Sequence, residues 1–402
     1  MLAATTMQLT IPSLDTLDVA GKRVLVRVDF NVPQDDAGQI TDDTRIRAAL
    51  PTLKQLLERG ATLVLMSHLG RPKGQVVESM RLTPVSERLG ELLDGVEVRQ
   101  LSESIGADVE AAVAAAPAGS VTVLENVRFH AGETQGDPEL SAAFAKLGDA
   151  FVNDAFGTSH RDHCSVCGVA RLLPSAGGKL LEAEVAAFSQ VLSEPARPLA
   201  AILGGAKVSD KLTVVDNLLD RVDRLLIGGG MAYTFLVAQG GTVGSSMVQE
   251  DQLDAVRAAL AKAAERGVQL LLPSDHVVAA GFAEDADRKV VTGNIEDGWM
   301  GLDIGPESQQ AYAAALADCG TVVWNGPMGV FEWEPFAEGT RSVGRAVAAC
   351  SGYTVVGGGD SVAAAHALGL ADQIDHISTG GGASLELLEG KLLPGIAALQ
   401  KG

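Results

Sequence analysis

The stretch LAAILGGAKVSDK (199–211) runs from an apolar segment into two adjacent glycines and then to Lys207 and Lys211, four residues apart. An apolar strand, a turn that lets backbone approach a ligand, and positive charge where the next element begins make one βα step with an anion site at its joint. The Walker phosphate loop is excluded. It needs Gly-x-x-x-x-Gly-Lys followed by Ser or Thr, whereas here Gly204 and Gly205 are adjacent and Val208 follows Lys207. The dinucleotide pattern Gly-x-Gly-x-x-Gly fails as well, because the glycine run 228–230 meets Tyr233 where its last glycine should stand.

The same step recurs on both sides of this stretch. Strand patterns in the first half are RVLVRV (23–28), TLVLM (62–66), VTVLE (121–125) and AFVND (150–154), separated by helical patterns such as TRIRAALPTLKQLLERG (44–60) and ELSAAFAKLG (139–148). In the second half LAAIL (199–203) is joined by RLLI (224–227), LLLP (270–273), TVVW (321–324) and YTVV (353–356). Alternating strands and helices predict an α/β fold: two Rossmann-like three-layer αβα domains with mainly parallel sheets. Between the halves, KLLEAEVAAFSQVLSEPARP (179–198) has apolar positions at three- and four-residue spacing and is stopped by Pro195 and Pro198. This places an inter-domain helix at 179–196, after a first domain at 1–178.

Composition bounds the function. With 402 residues, 47% hydrophobic and 20% charged, the chain can fill two cores. A net charge of −20 argues against a nucleic-acid partner, which requires a basic face, so any anion site must be local. No apolar run approaches the roughly 20 residues of a membrane span. The start MLAATTMQLTIPSLD lacks the basic beginning and apolar middle of a leader, so a cytoplasmic protein without a membrane partner is expected. Four cysteines are too few for a disulfide framework and fit a reducing compartment.

In open parallel sheets, ligands bind beyond the carboxyl ends of the strands. There the first half offers Asp29 and Asn31, then His68 and Arg71, then Arg128, then His160 and Arg161; Arg45 at a helix start could join them. A single arginine usually pairs with a surface carboxylate. Four at one edge of an acidic chain point to a small, multiply charged anion, because the guanidinium fork fits carboxylate and phosphate oxygens. The second half offers Gly204, Gly205, Lys207 and Lys211, the run 228–230, Asn325 to Pro327, then Gly357, Gly358, Gly359, Asp360 and Ser361, and finally STGGGASLE (378–386). Helices that open after glycine turns aim free N–H groups at phosphate. Asp360 is the candidate ligand for the Mg²⁺ that accompanies a nucleotide.

Seven motifs, RVDFNVP, SHLGRP, ENVRF, LGGAKVSDK, VVWNGPMGVFE, GGGDS and STGGGASLELLEGK, occur in order, and through them the chain from about residue 17 onward resembles the phosphoglycerate kinase family. The resemblance implies two similar-sized domains joined by a helix, and phosphoryl transfer between ATP and 3-phosphoglycerate. It implies a 3-phosphoglycerate site at Asp29, Asn31, Arg45, His68, Arg71, Arg128 and Arg161. It implies a nucleotide site at Lys207, Lys211, Gly301, Asn325, Glu332, Gly358, Gly359, Asp360 and Ser361, with Glu332 on a ribose hydroxyl. The nucleotide domain would span 197–384, and the segment 385–402 would return to the first domain. A monomer is also implied. Two half-sites on separate domains must close on each other, so a hinge is expected at the ends of the linking helix, near Gly177, Gly178 and Pro195, and in the glycine run 380–382. No general base is needed, because the attacking carboxylate is already ionised at pH 7. Charge stabilisation would fall to Arg45, Lys207 and the N–H groups of Gly380, Gly381 and Gly382. Glu125, Asp154 and Asp210 are expected in ion pairs.

One loop departs from the family. HRDHCSVC (160–167) holds Asp162 and Cys164 where small residues are usual. Cys164 and Cys167 have a spacing that suits zinc or a redox pair, but with no second pair they are expected to be inert thiols. Asp162 is expected to compete for the Arg161 guanidinium. The alternative function is a two-lobed anion- or nucleotide-binding protein without catalysis, which would have no use for Asp360 or Glu332.

Overall fold

A computed structural model describes residues 9–400. Residues 1–8 of the stretch read for a leader, and residues 401–402 of the expected C-terminal segment, lie outside the described residues. The described chain forms two units. One comprises Leu9–Ala186 together with 392–400; the other is Ala187–Lys391.

The first unit is built on β1 (Arg23–Val28), β2 (Thr62–Met66), β3 (Val98–Gln100), β4 (Val121–Val123), β5 (Ala150–Asp154) and β6 (Ser175–Gly177). They form one sheet in the order β3-β4-β2-β1-β5-β6, and every pairing is parallel. Central β1 is buried from Val24 to Val28, as expected of a strand covered on both faces. On one face of the strand Val24, Val26 and Val28 share a core with Ile46, Ala49, Leu53 and Leu56, the buried stripe of helix Thr44–Glu58. Residues 392–400 complete this unit. In helix Pro394–Leu399, Ile396 and Leu399 are buried, Gly395 N–H donates to the Ser159 carbonyl at 2.8 Å, and Gln400 Nε2 donates to the Thr10 carbonyl at 2.7 Å.

Helix Lys179–Leu192 begins in this unit and ends in the other, stopping short of Pro195. Its start is held by Asp154 at the end of β5, whose Oδ1 accepts from Leu180 N at 3.0 Å, and by Thr52 Oγ1, which accepts from Lys179 N at 2.7 Å. Asp154 is therefore a helix-end acceptor and not the ion-pair partner the sequence suggested. Glu125 does pair, with Arg81 Nη1 at 2.9 Å, and also accepts from Leu82 N at 3.0 Å. Asp210 accepts from its neighbour Ser209 Oγ at 3.2 Å.

The second unit contains β7 (Leu199–Leu203), β8 (Arg224–Ile227), β9 (Gln269–Leu271), β10 (Asp275–Ala279), β11 (Arg288–Thr292), β12 (Met300–Ile304), β13 (Thr321–Asn325), β14 (Tyr353–Val356) and β15 (His376–Ile377). Six of them make a parallel sheet in the order β15-β14-β13-β7-β8-β9. The expected two-domain, mainly parallel α/β architecture is thus present. The sequence reading did not find the separate antiparallel sheet β11-β10-β12. Its edge strand, RKVVT, is largely exposed and shows no clean alternation. The larger core gathers Trp324, Tyr312, Leu316, Val343 and Val347, and it satisfies its polar tips: Trp324 Nε1 donates to the Gly326 carbonyl and Tyr312 Oη to that of Ile227.

Candidate active site

In the first unit, the loops leaving β2, β4 and β5 line a cavity of about 520 Å³. Its charged lining is Arg71, Lys73, Arg128 and Arg161, with His130 and His163 beside them, and no carboxylate is among the lining residues. Three of the four predicted arginines therefore meet in one place. Arg128 sits in the turn Val127–Phe129, capped by Asn126, whose side chain accepts from Arg128 N at 3.1 Å and donates to the Leu69 and Met80 carbonyls at 2.8 Å. Arg128 Nη1 donates to the Gly70 carbonyl at 2.9 Å, while its buried Nε has no hydrogen-bond partner. Burial, with Arg27 and Arg71 nearby, draws this guanidinium down to about 10. An under-neutralised buried cation of this kind is stabilised by a bound anion.

The remaining predicted residues of this unit form a group that does not line the cavity. Arg45 Nη1 donates to Asp29 Oδ2 at 2.7 Å, Asp29 Oδ1 accepts from Asn31 N at 3.3 Å, and Asn31 Oδ1 accepts from Gly70 N at 2.8 Å. Burial works against the Asp29 charge, but the Arg45 and Arg27 guanidinium groups outweigh it and hold the carboxyl below its usual range. His68 is buried, with Nδ1 3.1 Å from Arg27 Nη2, and burial holds its imidazole well below the ordinary value.

Arg27 was missed by the sequence reading. It is 0% exposed within β1, and its Nε donates to Ser165 Oγ at 2.8 Å; that hydroxyl in turn donates to Glu133 Oε1 at 2.6 Å. The signal was available as a lone charge inside the apolar run RVLVRV. Lys73, His130 and His163 were also missed as cavity residues. GRPKG carries Lys73, the HRDH loop carries His163 and His130 follows ENVRF directly, but nothing in these spacings tells which side chain faces the cavity.

Asp162 does not compete for Arg161. It pairs with Arg171 at 3.0 Å, and that hydrogen bond holds the carboxyl below its usual range. Proximity in sequence gave way to the turn Val169–Arg171, which brings the second arginine alongside. The thiols act as weak donors: Cys164 Sγ to the Gly132 and Asp137 carbonyls at 3.3 and 3.2 Å, Cys167 Sγ to the Arg161 carbonyl at 3.5 Å. Burial pushes Cys167 up to about 12 and raises Cys164, so neither is a ready thiolate.

In the second unit the glycine loops gather at the carboxyl edge of the sheet. β7 and β13 are neighbours from which the chain proceeds in opposite directions, the topological switch where such sheets bind ligands. Gly204 N donates to the Asn325 carbonyl at 3.0 Å and Gly205 N to that of Pro327 at 3.1 Å. A Cβ on Gly204 would lie 2.0 Å from the Pro327 oxygen, so only glycine permits this approach. Lys211 Nζ donates to the Asn325 carbonyl at 2.8 Å and to Asn325 Oδ1. Burial draws its ammonium down to about 8, opposed by Asp360 and Asp210. Lys207 is exposed.

Helix Gly359–Ala367 starts after Gly358, whose φ of 95° excludes a side chain in practice. Asp360 stands exposed in its first turn, and buried Ser361 Oγ accepts from Gly326 N. Helix Gly381–Leu388 starts beside it: a Cβ on Gly381 would be 3.4 Å from Gly359 N. Two helix N-termini, with Gly382 exposed, thus point their free N–H groups at one region. Gly301 lies in β12, its N–H on Ser246 Oγ at 2.9 Å, and Glu332 is exposed after the Gly326–Met328 turn. Among the described residues no group of three or more His, Cys, Asp or Glu side chains is arranged to hold a metal ion. A single exposed carboxylate suits Mg²⁺, which is bound through one or two carboxylates plus nucleotide phosphates.

A cavity lined by three arginines in one unit and two neighbouring helix starts in the other are features that many folds assemble, and comparison with known proteins decides among them. The family profile of phosphoglycerate kinase matches residues 14–391. A protein of Synechococcus elongatus named phosphoglycerate kinase is 58% identical over 395 residues, 97% of this chain and 98% of the relative. One of that name from Roseiflexus castenholzii is 58% identical over 385 residues, covering 95% and 97%. The solved phosphoglycerate kinase of Coxiella burnetii superposes with a TM-score of 0.90 at 42% identity, covering 98% of this chain and 99% of its own. The family profile, the named relatives and the solved structure each cover nearly the whole chain, and the chain belongs to the phosphoglycerate kinase family.

Proposed function

We propose a division of labour for the family's reaction, the reversible transfer of a phosphoryl group between ATP and the carboxylate of 3-phosphoglycerate, giving ADP and 1,3-bisphosphoglycerate. The enzyme class, a phosphotransferase with a carboxyl acceptor in glycolysis, follows from family membership. The alternative of a binding protein without catalysis is not favoured by relatives that carry the kinase name at this identity. The unit of β1–β6 takes 3-phosphoglycerate, with Arg71, Arg128 and Arg161 on its phosphate and the group of Asp29, Asn31, Arg45 and His68 at the reacting end. The observation that carries this reading is the carboxylate-free cavity with the unpartnered Arg128 Nε.

The other unit takes the nucleotide. Lys207, Lys211 and the N–H groups at Gly358, Gly359, Gly381 and Gly382 surround the phosphates, Asn325 and Ser361 hold the turn in place, Glu332 accepts from the ribose, and Gly301 contributes backbone to the nucleotide site. Asp360 holds the Mg²⁺ carried on the nucleotide; when bound, the ion neutralises charge on the phosphate oxygens. A carboxylate oxygen forms a bond to the γ-phosphorus as the bond to the β–γ bridging oxygen breaks, and no proton moves. Arg45, Lys207 and the N–H groups of Gly381 and Gly382 stabilise the charge on the phosphoryl group in transfer. Cytoplasmic residence as a monomer completes the reading. The test is to incubate the protein with Mg·ATP and 3-phosphoglycerate, pull the reaction with a coupled reduction of 1,3-bisphosphoglycerate, and measure ADP. Folded protein that forms no ADP overturns it.

A further inference from the structure

Lys73 has a backbone φ of 60°, and among the described residues it is the only non-glycine residue in the left-handed region. Lysine has no short polar side chain to offset that conformation, as Asn and Asp have, so it persists only where the surroundings impose it. They do so here. Gly74, at φ 76°, packs so closely on Ala131 that a Cβ would lie 2.7 Å from that of Ala131, and its N–H donates to the Arg128 carbonyl at 3.2 Å. The double left-handed turn folds the loop that leaves β2 over the segment that follows Arg128, and so brings Lys73 to the lining of the same cavity as Arg71, Arg128 and Arg161.

Glycine would take φ 60° at no cost. The strain at residue 73 therefore stands for the side chain that is there. That side chain is exposed and has no hydrogen-bond or ion-pair partner among the described residues, in a chain with 51 acidic against 31 basic residues. An unpaired ammonium beside a carboxylate-free cavity adds to the field that draws an anion in. We propose that Lys73 is a fourth binding cation of this cavity, held in a strained turn so that it captures the phosphate-bearing acid on its way to the three arginines. The proposal rests on the reading of the cavity as the 3-phosphoglycerate site.

The experiment is calorimetric titration of 3-phosphoglycerate into wild type, K73M, K73R and K73G, at low salt and at about 0.5 M salt, where the screening length falls to a few Å. At low salt K73M weakens binding roughly threefold to tenfold, as loss of a rim charge should, and the difference shrinks at high salt. K73R restores the affinity. K73G, which relieves the backbone strain, raises the melting temperature while binding as weakly as K73M, and this separates charge from turn geometry. K73M or K73G binding as tightly as wild type at low salt overturns the assignment of Lys73 alone. Wild type that does not bind 3-phosphoglycerate overturns both this assignment and the reading of the cavity.

Discussion

Arg128 combines three properties that set it apart among the cavity residues: a half-buried guanidinium, an Nη1 fixed on the Gly70 carbonyl, and an Nε left unpartnered. If it binds ground-state substrate, Arg128→Ala raises KM for 3-phosphoglycerate about tenfold or more, since hydrogen bonds to charged groups contribute about 1.5–3 kcal/mol, and lowers kcat less. Steady-state kinetics decide it, and an unchanged KM removes the residue from the site. In the unit of β7–β15, burial brings Lys211 down to about 8, near the working range. Phosphate binding favours the charged ammonium, so as pH rises through about 8 the charge is lost and nucleotide affinity falls. Titrations between about pH 7 and about pH 10 should show this slope in wild type and not in K211M. Equal slopes would place the pH dependence elsewhere. The loop arginines were legible in the sequence because each stands in a short motif after a strand pattern. Arg27 was not, because its partners His68 and Ser165 lie 41 and 138 residues away and only the folded sheet brings them together.

At the scale of elements, the start of helix Lys179–Leu192 depends on a buried acid. Asp154 Oδ1 receives backbone N–H groups while Oδ2 is buried without a partner, and burial pushes the carboxyl up to about 7. A raised carboxyl contributes stability that is complete below the unfolded value near 4 and is lost as pH rises through about 7, at about 1.4 kcal/mol for each unit of difference. Asp154→Asn keeps the acceptor and removes the charge. Denaturant unfolding from about pH 4 to about pH 8 should therefore show wild type losing stability relative to D154N as pH rises, and parallel curves would refute the account. The parallel strands were legible because central strands of covered sheets are continuous apolar runs; RVLVRV, TLVLM, AFVND, LAAIL, RLLI and YTVV match observed strands end to end. Short edge strands such as Val98–Gln100 and exposed ones such as Arg288–Thr292 escaped, because pairing with a neighbour defines them more than their own residues do.

For the molecule as a whole, the proposed reaction joins a ligand of one unit to a ligand of the other, and in-line transfer needs reacting atoms within about 3.5 Å. Each substrate alone engages one unit and biases closure weakly, so compaction should require both. Small-angle scattering of the free protein, of each substrate complex and of the ternary complex with a non-transferable nucleotide should show a smaller radius of gyration only in the last. An equal radius in all four states would defeat the idea. The return of residues 392–400 to the unit that opens at Leu9 has a meaning in time as well as in space. Leu393, Ile396 and Leu399 are fully buried there, yet they leave the ribosome after every described residue of the other unit. The described part of that other unit, Ala187–Lys391, is contiguous and can finish first, whereas the unit begun earlier waits with an open apolar seam until residues 392–400 have followed. A chain that stops at Lys391 is thus damaged in its older unit, not its newer one.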